Sequence, residues 1–282
     1  MQSTRTGAGA PLLLVHGLGG SSRSWSPILK YLAAEREVIA LDLPGFGTTP
    51  PLTGEVSIRT IADAVTAFID AEGYRGIDAV GSSMGARLVL ELARRGGVVG
   101  GVVSLDPGGF WRGWERQFFF SSIALSIRLV RLLDPMLPFL MRHMLTRALL
   151  LAQFSPHPGR LPPDLALDEL KNYNASPSFD QLLRNLAFGE PQRGAPPGSL
   201  PGPIVIGWGR HDRICLARQA ERARAMFPEA RLHWFQKSGH FPHWDEPQEA
   251  ARLILESLPC SETSSLQRRP NSSVSFACDA AQ

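Results

Sequence analysis

Short, continuous apolar runs recur along the chain, and most are followed by a stretch in which apolar residues return at helical spacing. The runs cover residues 11–15, 37–41, 77–80 and 98–105, with one more beginning at Ile204, and a final strand is read at 231–236. A run without alternation reads as a strand buried on both faces, as in a parallel sheet covered by helices. Helical stretches fall at about 24–34, 57–71, 86–93, 216–227 and 245–258. In the second of these, Ile58, Ile61, Ala62, Val65, Phe68 and Ile69 share one face. Six strands alternating with helices predict an α/β fold with a mostly parallel central sheet flanked by helices.

The alternation stops between residues 107 and 202. Aromatics and leucines dominate there, from Phe110, Trp111 and Trp114 through Phe118–Phe120 to Leu151, and the pattern predicts several helices. Arg128, Arg131, Asp134, Arg142 and Arg147 interrupt every candidate span. No run approaches the roughly 20 apolar residues that cross a bilayer, so no transmembrane segment is expected. Residues 190–203 are too rich in proline and glycine for a helix and read as a return linker. The expected division is a core from 11 to 106, a helical insertion from 107 to 202, and a second core part from 203 to 258. A serine-rich, aperiodic tail, 259–282, is expected to be disordered.

With 282 residues, 44% of them hydrophobic, the chain can bury one large core. The net charge of +3 and pI near 9.0 come from scattered arginines with no basic run, which excludes a nucleic-acid footprint. Cys215, Cys260 and Cys278 have neither disulfide-framework nor zinc-site spacing. The first ten residues hold no apolar signal region. Together these point to a reducing, cytoplasmic location.

Chemistry concentrates at Gly81-Ser82-Ser83-Met84-Gly85, between an apolar run and a helical stretch. A turn this tight forces its central residue into strained backbone angles and leaves no room for side chains beside it, hence Gly81 and Gly85. Ser83 is the candidate nucleophile. The N–H of Met84, on the first helical turn, points at the space where an attacked carbonyl gathers negative charge.

The run at 11–15 ends in His16-Gly17-Leu18-Gly19-Gly20, and the run at 37–41 in Asp42-Leu43-Pro44-Gly45-Phe46-Gly47. With the Ser83 turn, these stretches resemble the α/β-hydrolase superfamily over about residues 11–258. The resemblance implies a nucleophile elbow at Ser83, a cap domain over the site from the helical insertion, and a second oxyanion-hole N–H from Leu18. His16 and Asp42 are expected to shape their turns, not to react.

The resemblance also implies a Ser, Asp, His triad in that chain order: Ser83, Asp212 and His240, each ending a separate predicted strand. His240 would act as general base and acid, and Asp212 would hold its tautomer. The segment around His240, Ser-Gly-His-Phe-Pro-His-Trp-Asp-Glu-Pro, resembles the family's histidine motif. His243 is the rival base. Asp106, after the strand that follows the elbow helix, is the rival acid.

The expected activity is that of a serine hydrolase acting on a carboxylic ester or related acyl substrate, a small molecule with a lipophilic acyl group. No metal or organic cofactor is implied. The same triad serves thioesters, C–C bonds and perhydrolysis, and a binding receptor with little turnover is the alternative of another class. Relatives usually carry an N-terminal hairpin before the strand that ends in His-Gly. Only ten residues precede Pro11, so the sheet is expected to lack it and to leave an edge uncovered.

Overall fold

The computed structural model describes residues 1–259, so the expected disordered tail, beyond Pro259, lies outside the described residues. In chain order the core contributes strands β1 (Gln2–Thr6), β2 (Pro11–Val15), β3 (Glu37–Asp42), β4 (Ile77–Ser82), β5 (Val99–Leu105), β6 (Ile204–Gly209) and β7 (Arg231–Phe235). They form one sheet in the order β1-β3-β2-β4-β5-β6-β7. All neighbours pair in parallel except β1 with β3, which is antiparallel.

Helices α1 (Ser26–Leu32), α2 (Ile58–Ala71) and α3 (Met84–Arg95) cover the first half. Between β5 and β6 lie α4 (Trp114–Leu133), α5 (Leu137–Leu140), α6 (Met144–Leu150), α7 (Pro163–Ala175) and α8 (Phe179–Phe188). The chain closes with α9 (Ala220–Met226), α10 (Pro242–Asp245) and α11 (Pro247–Ser257).

Successive strand residues point to opposite faces, and each face builds its own core. Leu12 and Leu14 pack with Ile28 and Leu32 of α1 and with Leu253 and Ile254 of α11. Leu13 and Val15 pack with Ile61 and Val65 of α2, in a cluster that continues into α7 and α8. The parallel strands thus end on one side, and their carboxyl ends carry Ser83, Asp212 and His240.

The expectation of six strands and a bare edge is corrected by β1. Gln2–Thr6 contains no apolar residue, so it gives no hydrophobic signal. Its contribution is backbone pairing along β3, with Gln2 opposite Asp42 and Thr6 opposite Val38. Arg5 adds an ion pair to Glu72 at 2.5 Å and lies over the Tyr74 ring. A polar, arginine-bearing outer strand suits an edge that must not recruit another.

One buried cation ties distant parts of this core together. Arg36, 2% exposed, donates to Ala10 O at 2.9 Å, Pro11 O at 3.0 Å, Asp78 Oδ2 at 2.8 Å and Leu258 O at 2.5 Å. A guanidinium removed from water needs this many acceptors.

Candidate active site

Ser83 lies between β4 and α3 at φ 55° and ψ −112°, a region that side-chain-bearing residues enter only under constraint. The constraint lies in its neighbours. A Cβ on Gly81 would meet Gly85 O at 2.2 Å, and one on Gly85 would meet Val15 O at 2.0 Å. Strand and helix pass too close for side chains on either flank, and the Ser83 hydroxyl stands at the start of α3.

That hydroxyl lies 2.7 Å from His240 Nε2, and His240 Nδ1 lies 2.8 Å from Asp212 Oδ2. A carboxylate only accepts, so Nδ1 carries the proton it donates to Asp212, and Nε2 is left to accept from the serine. All three expected residues are therefore brought into one hydrogen-bonded chain. Neither rival hydrogen-bonds the His240 ring. Asp106 is fully buried and accepts from Gly209 N–H at 2.8 Å, and burial together with the nearby Asp212 carboxylate holds its carboxyl well above the usual range. His243 is enclosed by Trp25, Phe241 and Trp244, and burial pushes it down to about 3, which keeps it neutral.

His16 and Asp42 shape their turns, as expected. His16 Nδ1 donates to Gly17 O at 2.7 Å, and its Nε2 accepts from Leu43 N–H at 3.0 Å. Its pKa falls to about 4 because the ring is buried. Asp42 accepts from Ser22 N–H at 2.7 Å and from both the N–H and hydroxyl of Thr48 at 2.9 Å. The His-Gly turn closes through Gly20 N–H to Gly17 O at 3.1 Å, a bond that does not use the N–H of Leu18. A Cβ on Gly17 would lie 3.2 Å from the Ser83 Cβ, so this turn abuts the serine. Met84, as first residue of α3, carries an N–H that the helix itself leaves without an acceptor.

The loop bearing His240 is held by residues whose part the sequence did not reveal. Gly239 N–H donates to Asp245 Oδ2 at 2.8 Å. The Ser238 hydroxyl and the Lys237 N–H donate to Glu246 Oε2 at 2.7 and 2.9 Å. His240 N–H reaches Phe154 O at 2.7 Å, so the segment between β5 and β6 touches the site through its backbone. Glu169 of α7 is also buried, in a small cleft with His16, Ser24, Trp25 and His243. Burial raises its carboxyl to about 8, Asp168 adds to the rise, and the Ser24 hydroxyl opposes it.

Above the serine lies a narrow, mostly apolar cavity. Its floor is Leu18, Ser83 and His240, and most of its wall comes from α4, α6, α7 and α8, including Ile123, Ile127, Leu150, Tyr173 and Phe179. Among the described residues, Asp212, Cys215 and His240 form the one group of potential metal ligands. The facing His240 and Asp212 atoms are already bonded to each other, and burial raises the Cys215 thiol well above its usual range. That donor set does not fit an ion.

A model of the Alpha/beta hydrolase family matches residues 12–253. The chain belongs to this family. An uncharacterized protein of Mycobacterium tuberculosis is 27% identical over 266 residues, 91% of this chain and 77% of that protein. The 2-hydroxy-6-oxo-6-phenylhexa-2,4-dienoate hydrolase of Burkholderia cepacia is 27% identical over 268 residues, 89% of this chain and 88% of that enzyme. Among solved structures, a thermophilic esterase from Thermogutta terrifontis superposes with a TM-score of 0.70 at 20% identity, over 90% of this chain and 91% of that one. Membership supports a hydrolase acting on a small molecule, and no helix among the described residues is long and apolar enough to cross a membrane.

Proposed function

We propose that the protein is a serine hydrolase that cleaves a carboxylic ester, or a related acyl compound, with a lipophilic acyl group. The observation that carries this reading is the Ser83–His240–Asp212 chain of hydrogen bonds at the floor of an apolar cavity. Ser83 Oγ attacks the acyl carbon while His240 Nε2 takes its proton. The oxygen of the tetrahedral intermediate is met by the N–H groups of Leu18 and Met84. The bond to the leaving alcohol then breaks as His240 returns the proton, leaving an acyl group on Ser83. Water, deprotonated by the same imidazole, attacks the acyl carbon and frees the acid and the serine. Asp212 holds the imidazole in place and stabilises its charged form.

Residues 107–202 act in this reading as a cap whose inner faces set acyl preference. Each buried methylene contributes about 0.8 kcal/mol, so kcat/KM is expected to rise from acetyl to hexanoyl p-nitrophenyl esters. The C–C hydrolase reading is favoured by the Burkholderia cepacia relative, whose named substrate carries a carboxylate. The residues lining this cavity include no lysine or arginine to receive one, which supports the ester.

A fluorophosphonate probe followed by the ester series tests the proposal. Labelling lost in Ser83→Ala and kept in Ser82→Ala, with rising kcat/KM, is the expected result. Saturable binding without labelling or turnover would replace the enzyme by a receptor, and a steady fall from acetyl onward would reject the lipophilic acyl group.

A further inference from the structure

Helix α4 is apolar on two opposite faces. Phe119, Ile123, Ile127 and Val130 recur at helical spacing, are buried, and line the cavity over Ser83. Trp114, Phe118, Leu125, Leu129 and Leu132 recur at the same spacing on the other side and lie open, with Trp114 61%, Leu125 70% and Leu132 78% exposed. A helix that only roofs a pocket carries polar residues on its outer face. The open set continues past α4 with Met136, Phe139, Met144, Leu145 and Leu149. Among the described residues, every exposed large hydrophobic side chain but Phe188 comes from this stretch, and Phe188 packs on Phe120 of α4. Exposure of this kind, drawn from one segment, marks a surface with an occupant.

Charge identifies the occupant. Residues 114–163 contain six arginines, at 116, 128, 131, 142, 147 and 160, against two carboxylates, Asp134 and Glu115, the latter buried and paired with Arg218 and Arg222. Arg116, Arg128 and Arg142 are exposed, and among the described residues no ion pair includes them. The following stretch, 164–190, reverses the balance, with Asp164, Asp168, Glu169, Asp180 and Glu190 against Lys171 and Arg184. The open hydrophobics therefore sit in the basic half of the insertion. A second copy docked face to face would bring arginines against arginines, which such symmetric interfaces avoid. An anionic bilayer matches both features: apolar side chains enter the acyl boundary while guanidinium groups stay at the phosphates.

We propose that residues 114–149 form a membrane-docking face that seats the protein on an anionic lipid surface without spanning it. The inner face of α4 then lines the cavity while its outer face meets lipid, so one helix separates the two.

Sedimentation with vesicles of phosphatidylglycerol and phosphatidylcholine, against phosphatidylcholine alone, tests this on the full chain and on Ser83→Ala. Both proteins are expected to bind the anionic vesicles about tenfold or more tightly. Raising salt from about 0.1 M to about 1 M, which shortens the screening length from about 10 to 3 Å, should weaken that preference. A Leu125→Ser, Leu129→Ser, Leu132→Ser variant and an Arg128→Gln, Arg142→Gln variant should each lose about tenfold in vesicle binding. Their Tm and their turnover of a soluble acetyl ester should remain as in the parent. Equal binding to both vesicle types, or binding that neither variant weakens, overturns the proposal. So does a dimer that the leucine substitutions dissociate, because it gives the face to a second copy. Vesicle binding is scored on a chain lacking the Ser83 hydroxyl, so this result and the hydrolase reading fail separately.

Discussion

Asp212 divides its two oxygens between separate tasks. Oδ1 accepts the N–H groups of Ile214 and Cys215 at 2.7 and 3.0 Å, and Oδ2 faces His240. An asparagine has one acceptor oxygen, so it either abandons the two backbone donors or presents an amide N–H to the imidazole and reverses its tautomer. Asp212→Asn is expected to lower kcat by about 10⁴-fold with the fold retained. Asp106→Asn keeps an oxygen for Gly209 N–H and leaves the His240 contact intact, so its kcat should stay within about tenfold of the parent. Steady-state kinetics on one ester measures both, and the opposite ranking would move the acid to Asp106. At the elbow, Gly85→Ala sets a Cβ 2.0 Å from Val15 O, and a buried strand carbonyl cannot withdraw. A loss of about 3 kcal/mol or more is expected in urea unfolding; an unchanged midpoint would show that β2 yields.

At the scale of elements, α7 plants one carboxyl group against the core. Glu169 titrates near 4.5 when free and near 8 when buried here. Between those values the unfolded chain has released a proton that the folded chain keeps, so this group's effect on stability worsens as pH rises and is complete above pH 8. Below pH 4.5 both states are protonated and the effect vanishes. Glu169→Gln removes the titration, and its Tm relative to the parent should rise between pH 5 and pH 8 by the equivalent of a few kcal/mol. A constant difference across that range would show that the carboxyl ionises as if exposed. The buried strands and their helices were legible because unbroken apolar runs such as 11–15 have no other use in a chain this size. The three triad candidates were legible through the resemblance of their turns to the family's motifs, each after a predicted strand. Glu169 was not, since nothing local distinguishes a buried acid from a solvated one beside Asp168. Nor was β1, whose five polar residues carry no apolar signal and are held by backbone pairing to β3 and by the Arg5 contacts. The order in which α4 to α8 turn their faces inward depends on packing across the site, as with Phe154, whose carbonyl meets His240.

For the whole molecule, β1 is the element that closes one side of the sheet. Deleting residues 2–8 would leave the donors and acceptors of β3 open along a strand of Val38, Ile39, Ala40 and Leu41. Such a variant is expected to associate in light scattering at concentrations where the parent does not; a monodisperse product would show that another segment shields β3. Arg36 has a different reach. Its guanidinium bonds the carbonyl of Leu258, 222 residues further along. On a ribosome adding about 5–20 residues per second, that acceptor emerges roughly ten to forty seconds after the arginine. Until then the nascent chain holds a cation meant for burial with one of its acceptors still unmade. Final docking of the sheet is thereby tied to the synthesis of Leu258.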